Sequence, residues 1–386
     1  MFLILKTGMF GNRNINLLLK MNYSYKPLLV VYVSFFSFFS SYSIAASKDT
    51  LNAISLRPCG RYFQYPNGNL ELISSAVYFG FRFTGQYCSV FAALSDPAAH
   101  NYLQYTVDGI YSKRIKISGN MSRSYNIAGL GKGEHTIWVY KATEATTGPI
   151  FIQKIVGHQI VALRVPDNPL IEFIGNSITC GAQADPSEVP CGMGEYHDQH
   201  NAFYAYGPRV ARMLNVNFML SSVSGIGIYR TWNTSGPSMP QVYEKTDFLV
   251  NSRRSWNFKT YAPRVVSIAL GTNDFSDGDG RTLRLPFDSA VFVNNYIRFI
   301  ELIKSKYPNT RIALLSSPML NGKKRTTLQN CLTIVKALID KKHPSNKKIA
   351  LFFFKPMTAR GCGGHPSVED HEILAKELAP FFKTLM

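Results

Sequence analysis

Acidic residues are scarce in this 386-residue sequence: 24 Asp and Glu stand against 42 Lys and Arg, which gives a formal net charge of +18. The basic residues are spread along the chain without a dense run, and neither an RNA-binding signature nor a zinc-finger spacing accompanies them. We therefore expect a solvated basic surface and no nucleic-acid partner.

An apolar run long enough to cross a bilayer, about 20 residues, is also missing. The run at 28–39 is shorter; it follows a segment that carries Lys26, and small residues stand beyond it at Ser43 and Ala45. This order is typical of a secretory signal, with an uncleaved membrane anchor as the alternative. We expect residues 1–46 to be removed, Met21 to be the true initiator, and the product to be secreted or periplasmic without stable membrane insertion.

The six cysteines form no C-x-x-C pair, so the usual zinc and redox spacings are absent. In an exported protein such cysteines favour disulfides. We predict a Cys59–Cys88 bridge. The other four cysteines, Cys180, Cys191, Cys331 and Cys362, allow three pairings. The bridges Cys180–Cys362 and Cys180–Cys191 are the two competing candidates.

No internal repeat or low-complexity tract follows the signal region, and the length allows two cores. Residues 47–164 alternate with period two between Gly-rich turns, as in a jelly-roll β-sandwich. We predict a turn at 85–86, and strands at 76–83, 88–94, 103–107, 114–117 and 135–140.

Two prolines in the segment 165–169 mark a stiff boundary, and residues 165–386 then alternate between strands and helices. Apolar strands between amphipathic helices predict a parallel sheet covered on both faces. The predicted strands are 170–174, 216–221, 264–270, 311–316 and 348–355, and the predicted helices are 202–214, 292–306 and 328–341. A last helix should begin with a Ser367 and Asp370 capping box and bury Ile373, Leu374, Leu378 and Phe381.

Four short blocks carry the chemistry of this half: Gly-Asn-Ser-Ile at 175–178, Ser-Gly-Ile-Gly at 224–227, Gly-Thr-Asn-Asp at 271–274, and His365-Pro366. The first three follow predicted strands, and the carboxyl ends of parallel strands share one edge of a sheet. Each block alone is weak, since Gly, Ser and Asn are ordinary turn residues. Together they supply a hydroxyl nucleophile, amide donors for an oxyanion and a general base, as acyl transfer requires.

The four blocks resemble those of the SGNH hydrolases, which are named for the Ser, Gly, Asn and His in this order. The longer pattern Gly-Asn-Ser-Ile-Thr-Cys-Gly at 175–181, behind a β-sandwich, looks like carbohydrate esterase family 2, whose members remove acetyl groups from plant polysaccharides. The stretches 107–109, 133–136 and 141–145 are similar to that family's leading domain. The resemblance implies an SGNH-type, flavodoxin-like sheet in residues 165–386.

The resemblance also implies roles. Ser177 is the nucleophile, and His365 is the base that takes its proton. The oxyanion is held by the Ser177 and Gly225 amides and the Asn273 side chain, with Gly227 as a substitute for Gly225. The mechanism needs neither a cofactor nor a metal. The expected partner is an acetylated oligo- or polysaccharide, and the enzyme is expected to be a monomer.

Two positions depart from the superfamily pattern. Asn176 replaces an Asp before the serine, and Cys362 stands where an Asp normally precedes the histidine by three positions. We therefore expect a Ser-His dyad in which a main-chain carbonyl, not a carboxylate, holds Nδ1 of His365. An acid such as Asp185 or Glu369 at that nitrogen would restore a triad.

Other polar clusters fit less well. Glu195, His197, Asp198 and His200 are dense enough for a metal site but match no standard spacing, so we expect no metal there. Asp274, Asp277 and Asp279 have the wrong glycine spacing for a calcium loop and predict a tight surface turn. Three aromatic residues are candidates either for a sugar-stacking cleft or for the core, namely Tyr229, Trp232 and Trp256.

We accordingly expect a secreted carbohydrate O-acetyl esterase. A lipase- or thioesterase-like enzyme on the same catalytic domain is one alternative, although no long apolar lid segment is present. A carbohydrate-binding protein with an inactive hydrolase domain is the other, and the missing Asp is its best support.

Overall fold

The computed structural model of the chain describes residues 49–386, so the predicted signal region 1–46 lies outside the described residues. Within the described part, an antiparallel sheet of nine strands precedes a parallel sheet of five. No helix in residues 49–386 has both the length and the apolar character needed to cross a membrane.

The antiparallel sheet folds over its own core, as the period-two alternation predicts. Two long strands pair with each other and continue past a register shift between Thr84 and Ser89, which lets the sheet bend. The strands are β1 (Asp49–Asn52), β2 (Tyr62–Gln64), β3 (Leu70–Leu72), β4 (Tyr78–Ala93), β5 (His100–Val107), β6 (Ile110–Ser118), β7 (Arg123–Ala128), β8 (Glu134–Lys141) and β9 (Ile150–Leu163).

The predicted turn at 85–86 is wrong, because β4 runs through it and joins two predicted strands. Gly85 has a φ of 117° and lies within this irregular stretch, so its freedom serves a bend instead of a chain reversal. The alternation also missed β9 (Ile150–Leu163), the central partner of β4.

The parallel sheet has the strand order β11-β10-β12-β13-β14, which confirms the flavodoxin-like arrangement. Its strands are β10 (Leu170–Gly175), β11 (Asn217–Ser222), β12 (Val265–Ala269), β13 (Arg311–Leu315) and β14 (Ala350–Phe352). The helices are α1 (Ser177–Cys180), α2 (Tyr206–Leu214), α3 (Met239–Val242), α4 (Ser289–Lys306), α5 (Gly322–Lys342) and α6 (Val368–Lys383). Apolar side chains of α4 and α5 cover one face of the sheet, and those of α2 and α6 cover the other.

Helix α6 starts with the predicted capping box, in which Ser367 and Asp370 exchange hydrogen bonds. The predicted buried stripe is only partly right. Leu374 and Leu378 are buried, but Ile373 is 53% exposed. The buried face continues to Phe382, because successive buried positions must follow the 3.6-residue repeat.

A buried arginine fixes the sandwich against the parallel sheet. The guanidinium of Arg61 donates to the carbonyls of Tyr243 (2.7 Å) and Lys245 (2.6 Å), and it lies 4.1 Å from the ring centre of Phe248. Arg254 pairs with the buried carboxylate of Glu71 across the same seam. The first domain is thus seated firmly enough for its side chains to act at the edge of the second.

Candidate active site

Strand β10 lies between β11 and β12 and ends level with both. Gly175 is in register with Ser222 of β11 and with Ala269 of β12. The loops that follow these strands therefore meet at one edge of the sheet, where the strand order reverses and α/β proteins bind ligands. They carry Ser177 and the blocks at 224–227 and 271–274.

Ser177 is the first residue of α1, directly after β10. The side chain of Asn176 caps this short helix by accepting the Ile178 N–H at 3.1 Å, so the amide does the structural work of the more usual Asp. A side chain at Gly175 would overlap Thr179, which explains the glycine. Among the described residues, neither the hydroxyl nor the N–H of Ser177 has a hydrogen-bond partner, so both are available to a substrate.

Gly225 and Gly227 occupy different surroundings. Gly225 has a φ of 74°, and its N–H has no partner within residues 49–386. Its carbonyl accepts the Trp232 N–H at 2.8 Å, and Trp232 stands over its Cα. Gly227 is buried against the carboxylate of Asp274, with no room for a Cβ. The Gly227 N–H has no partner among the described residues either, but Gly227 is buried and does not line the groove beside Trp232, so Gly225 has the amide that a substrate can reach.

Asn273 and Asp274 have distinct tasks. Nδ2 of Asn273 donates one hydrogen to the carbonyl of Ile226 at 2.8 Å, which leaves its second hydrogen free. The carboxylate of Asp274 accepts the N–H groups of Ile228 and Tyr229, each at 3.0 Å. Asp274 is fully buried, so its predicted place on a surface turn is wrong, although Asp277 is exposed there. Burial raises the pKa of Asp274 to about 6.

His365 follows a tight turn, Cys362–Gly364, that is tied to the chain beyond Ser177. The Cys362 N–H donates to the carbonyl of Gln183 at 2.9 Å, and the N–H of Ala182 donates to the carbonyl of Ser177 at 3.0 Å. Gly363 has a φ of 54° and packs so closely on Gln183 that a Cβ would overlap its amide. The histidine is thereby brought to the serine's side of the sheet edge.

No carboxylate among the described residues bonds to His365, and its Nδ1 has no hydrogen-bond partner there at all. Asp185 accepts from Asn201 at 2.7 Å, and Glu369 accepts from Ser367 at 2.7 Å. Burial lowers the pKa of His365 and repulsion by His200 adds to this, while the carbonyls of Cys362 and Gly363 oppose it. These carbonyls face the ring without forming a hydrogen bond to Nδ1.

The disulfide joins Cys191 to Cys362, which sequence reasoning did not select. The predicted Cys59–Cys88 bridge is wrong: Cys59 faces β11 and donates to the carbonyl of Phe218, whereas Cys88 lies in the sandwich core. Cys180 is also free, with its thiol 3.2 Å from the Ser222 hydroxyl. The bridge ties the insertion before α2 to the turn that carries His365.

Sequence reasoning missed the role of one residue at this edge. Glu144, from the sandwich domain, is buried and accepts the Ser224 N–H at 2.6 Å, one residue before Gly225. Its other oxygen lies 3.5 Å from Nε2 of buried His200. Burial alone raises the pKa of Glu144, but His200 and the Ser224 N–H outweigh that and lower it. The only sequence signal was the family-like stretch 141–145.

Of the three aromatic candidates, Trp232 lines the groove beside Gly225, whereas Tyr229 lines a separate cavity near Phe287. Trp232 is 44% exposed and lines a cavity of about 610 Å³ together with Ser224, Gly225 and Leu249. Trp256 is buried beside Arg61 in the interior, and Tyr229 packs against Phe287. The groove therefore opens directly on the block that holds the free Gly225 amide.

Comparison with known proteins agrees with this architecture. The family model described as carbohydrate esterase 2 N-terminal matches residues 59–166, and that of the GDSL-like lipase/acylhydrolase family matches residues 173–345. The chain belongs to carbohydrate esterase family 2. It is therefore a carboxylic ester hydrolase with a carbohydrate esterase domain pair.

Two curated relatives of this family 2 esterase have named activities. The cellulase/esterase CelE of Acetivibrio thermocellus is 30% identical over 295 residues, which are 73% of this chain and 34% of CelE. The chain thus spans about a third of that relative's length. An acetylxylan esterase/glucomannan deacetylase of Cellvibrio japonicus is 25% identical over 328 residues, or 84% of each chain.

A solved family two carbohydrate esterase from Clostridium thermocellum, in complex with cellohexaose, superimposes on this esterase with a TM-score of 0.74. The two are 26% identical, and the match covers 87% of this chain and 98% of the other. Both domains of the esterase thus have counterparts in that structure.

Replacing Asn273 with alanine should lower kcat of the esterase by roughly a hundredfold or more with little change in KM, because an oxyanion donor acts mainly in the transition state. Steady-state kinetics on an aryl acetate checks this, with Asn126→Ala as an exposed amide control on β7 of the sandwich domain. A rise in KM at unchanged kcat would instead make Asn273 a substrate-positioning residue.

Glu144→Gln should lower kcat by about tenfold or more, since a buried hydrogen bond to a charged acceptor contributes about 1.5–3 kcal/mol and its loss frees the oxyanion loop. Glu188→Gln is the matched control, because Glu188 also bridges the domains, pairing with Arg114, but is 43% exposed. Equal kinetics in the two variants would leave Glu144 a purely structural residue.

Proposed function

We propose that this chain is a secreted carbohydrate O-acetyl esterase, with a sandwich domain at 47–164 and a catalytic domain at 165–386, that works as a monomer through Ser177 and His365. One observation carries the proposal: three amide groups that each keep a free N–H, on Ser177, Gly225 and Asn273, follow three adjacent strands beside the free Ser177 hydroxyl. Such a set of donors fits the oxyanion of an acyl-transfer reaction.

The reaction then runs in two halves. Ser177 Oγ attacks the acetyl carbonyl carbon while Nε2 of His365 takes the hydroxyl proton, and the three amides hold the oxyanion. Collapse breaks the ester bond, and the departing sugar oxygen takes the proton from His365. Water, deprotonated by His365, then attacks the acetyl-Ser177 ester, and acetate leaves as the proton returns to Ser177.

The groove under Trp232 is the proposed sugar site. An exposed indole offers a flat apolar face to a sugar ring, and the groove runs from the Gly225 amide past Asn233 and Leu249. This fits an acetylated polysaccharide better than a long acyl chain, because the groove is open to solvent instead of enclosed.

Relative rates on acetylated xylan, acetylated glucomannan and a long-chain aryl ester test the substrate class, with the Ser177→Ala protein as the blank. The proposal predicts acetate release from at least one polysaccharide and a strong preference for acetyl over long-chain esters. Preference for the long-chain ester would favour a lipase-like function instead.

One observation favours a second function. Because Nδ1 of His365 lacks a partner, the histidine has no group that holds its tautomer, and a weak hydrolase could act mainly by binding carbohydrate. Calorimetric titration with cellohexaose separates the two. Tight binding without acetyl esterase activity would support the binding function, and rapid turnover of acetylated polysaccharide would exclude it.

The lowered pKa of His365 leads to a pH prediction. A base with a pKa below the ordinary 6.5 stays neutral, and therefore active, further into the acidic range. Burial is the largest cause and repulsion by His200 adds to it, while the carbonyls of Cys362 and Gly363 and the carboxylate of Glu144 oppose it. The acid limb of kcat/KM for an aryl acetate should thus have its midpoint below 6.5. A midpoint above that value would contradict the local electrostatics.

A further inference from the structure

A cluster outside the catalytic machinery joins the two domains. His100 comes from β5 of the sandwich, and Glu195, His197 and Asp198 come from the insertion between α1 and α2. The ligand atoms of His100, His197 and Asp198 all lie within 4.8 Å of one another. Sequence reasoning saw only the insertion, because His100 lies 95 residues before Glu195 in the chain.

Hydrogen bonds define which ring nitrogens face the centre of this cluster. Nε2 of His197 donates to the main-chain carbonyl of His100 at 3.0 Å. Nε2 of His100 donates to Oδ1 of Asp198 at 2.5 Å. With Nε2 protonated on both rings, each Nδ1 carries a free lone pair.

Asp198 is itself held in place from two further directions. Its Oδ1 accepts the Tyr102 hydroxyl at 2.8 Å, and its Oδ2 accepts the Glu195 N–H at 2.8 Å. Because these hydrogen bonds fix the Asp198 carboxylate, that carboxylate in turn fixes the orientation of the His100 imidazole. Histidines that bind metals commonly donate from the second ring nitrogen to a carboxylate or a carbonyl. His100 has the carboxylate of Asp198 as this support, and His197 has the main-chain carbonyl of His100.

Both Nδ1 atoms face the carboxylate of Glu195. Nδ1 of His100 lies 3.7 Å from Oε1, and Nδ1 of His197 lies 3.5 Å from Oε2. These separations exceed the usual upper limit of about 3.2 Å for an N–H···O hydrogen bond. They are close to the roughly 3.4 Å between two ligands that each lie about 2.1 Å from one tetrahedral zinc ion.

We propose that Nδ1 of His100, Nδ1 of His197 and the carboxylate of Glu195 bind one zinc-class divalent cation, with Asp198 as the group that orients His100. Two imidazoles and one carboxylate suit Zn²⁺ and its transition-metal neighbours, whereas Mg²⁺ and Ca²⁺ prefer oxygen ligands alone. Three protein ligands leave a fourth position for water.

The position of the site gives the ion a structural task. Tyr196 lies between two of the ligands, its hydroxyl donates to Ser224 Oγ at 3.1 Å, and its ring lies 4.8 Å from His200 and 6.2 Å from His365. An ion at Glu195 and His197 holds this tyrosine against the catalytic edge and fastens the sandwich to the insertion. It takes no step in ester hydrolysis.

The test measures metal binding by the full-length secreted protein after removal of metals with a chelator. Zn²⁺ is titrated against a chromophoric chelator, and Co²⁺ absorption reports the coordination geometry. We expect one Zn²⁺ per chain, at least a tenfold weaker affinity in Glu195→Gln, and at least a hundredfold weaker affinity in His197→Gln. Asp198→Asn should weaken binding by about 10–100-fold, as other supporting carboxylates do.

His135→Gln is the matched control, because His135 also pairs with an aspartate, Asp108 at 2.8 Å, but has no second histidine beside it. Its zinc affinity should equal that of the parent protein. Glu195 is 62% exposed, so Glu195→Gln should fold normally. This variant therefore still tests the proposal if His197→Gln does not fold. At one fixed zinc concentration, zinc should also raise the thermal midpoint of the parent and of His135→Gln more than that of Glu195→Gln.

Two results would overturn the proposal. One is a parent protein that binds no stoichiometric zinc or cobalt. The other is a Glu195→Gln protein that binds zinc as tightly as the parent. Glu195 would then not be a ligand, and the proposed ligand set would be wrong even if Asp198→Asn removed binding. Neither result depends on the esterase activity.

Discussion

The Ser177→Ala protein is expected to fold normally and to lose ester hydrolysis almost entirely, with kcat lowered by about a millionfold or to the limit of detection. The Ser177 hydroxyl is the nucleophile that attacks the substrate ester in the proposed mechanism. The alanine leaves the N–H of residue 177 in place, so the oxyanion site and substrate binding should survive. Hydrolysis of an aryl acetate measures the loss, and calorimetry with an oligosaccharide measures the binding.

Ser187→Ala is the control for this variant. Ser187 lies in the insertion between α1 and α2 and is exposed, so its replacement should leave kcat unchanged. Turnover near the parent level in a folded Ser177→Ala protein would remove Ser177 from the mechanism.

His365→Ala is expected to have the second largest effect, a loss of about ten-thousandfold or more in kcat near neutral pH, because His365 is the general base in both halves of the proposed reaction. The loss should shrink as pH rises, since hydroxide then replaces part of the base function. His343→Ala is a suitable control, because His343 pairs with Glu301 of α4 and has no part in the proposed mechanism. A pH-independent loss, together with weakened oligosaccharide binding, would instead indicate damage to the fold.

Much of the architecture follows from local pattern. Alternation of apolar strands and amphipathic helices predicted the parallel sheet, because such strands must be buried on both faces. The Ser367 capping box was readable because it involves residues only three positions apart. The order of the serine, glycine, asparagine and histidine blocks placed the candidate site, since strand ends of one parallel sheet share an edge.

The features that sequence reasoning missed all depend on contacts between distant segments. Glu144 reaches Ser224 across the domain seam, and Cys191 meets Cys362 over 171 residues. Asp274 reads as part of a polar turn, yet it is buried because it must satisfy the N–H groups of Ile228 and Tyr229. No local periodicity reports such partners, since they arise only once the two domains have packed.

The same reasoning explains what was half right at His365. The absence of an acid at position 362 predicted that no carboxylate would support the ring, and none of the described residues supplies one. The expected main-chain hydrogen bond to Nδ1 is not formed in this structure. The carbonyls of Cys362 and Gly363, which raise the pKa of His365, are the candidate acceptors, since catalytic hydrogen bonds often tighten only when substrate binds.

Identification of the acylated residue tests the central claim most directly. The parent protein is mixed with an aryl acetate, quenched with acid during the first turnovers, digested and mapped by mass spectrometry. The mechanism predicts one acetyl group on the peptide that contains Ser177, and none on that peptide in Ser177→Ala. An acetyl group on another residue, or a rapid first turnover that leaves no acetylated peptide, would contradict it.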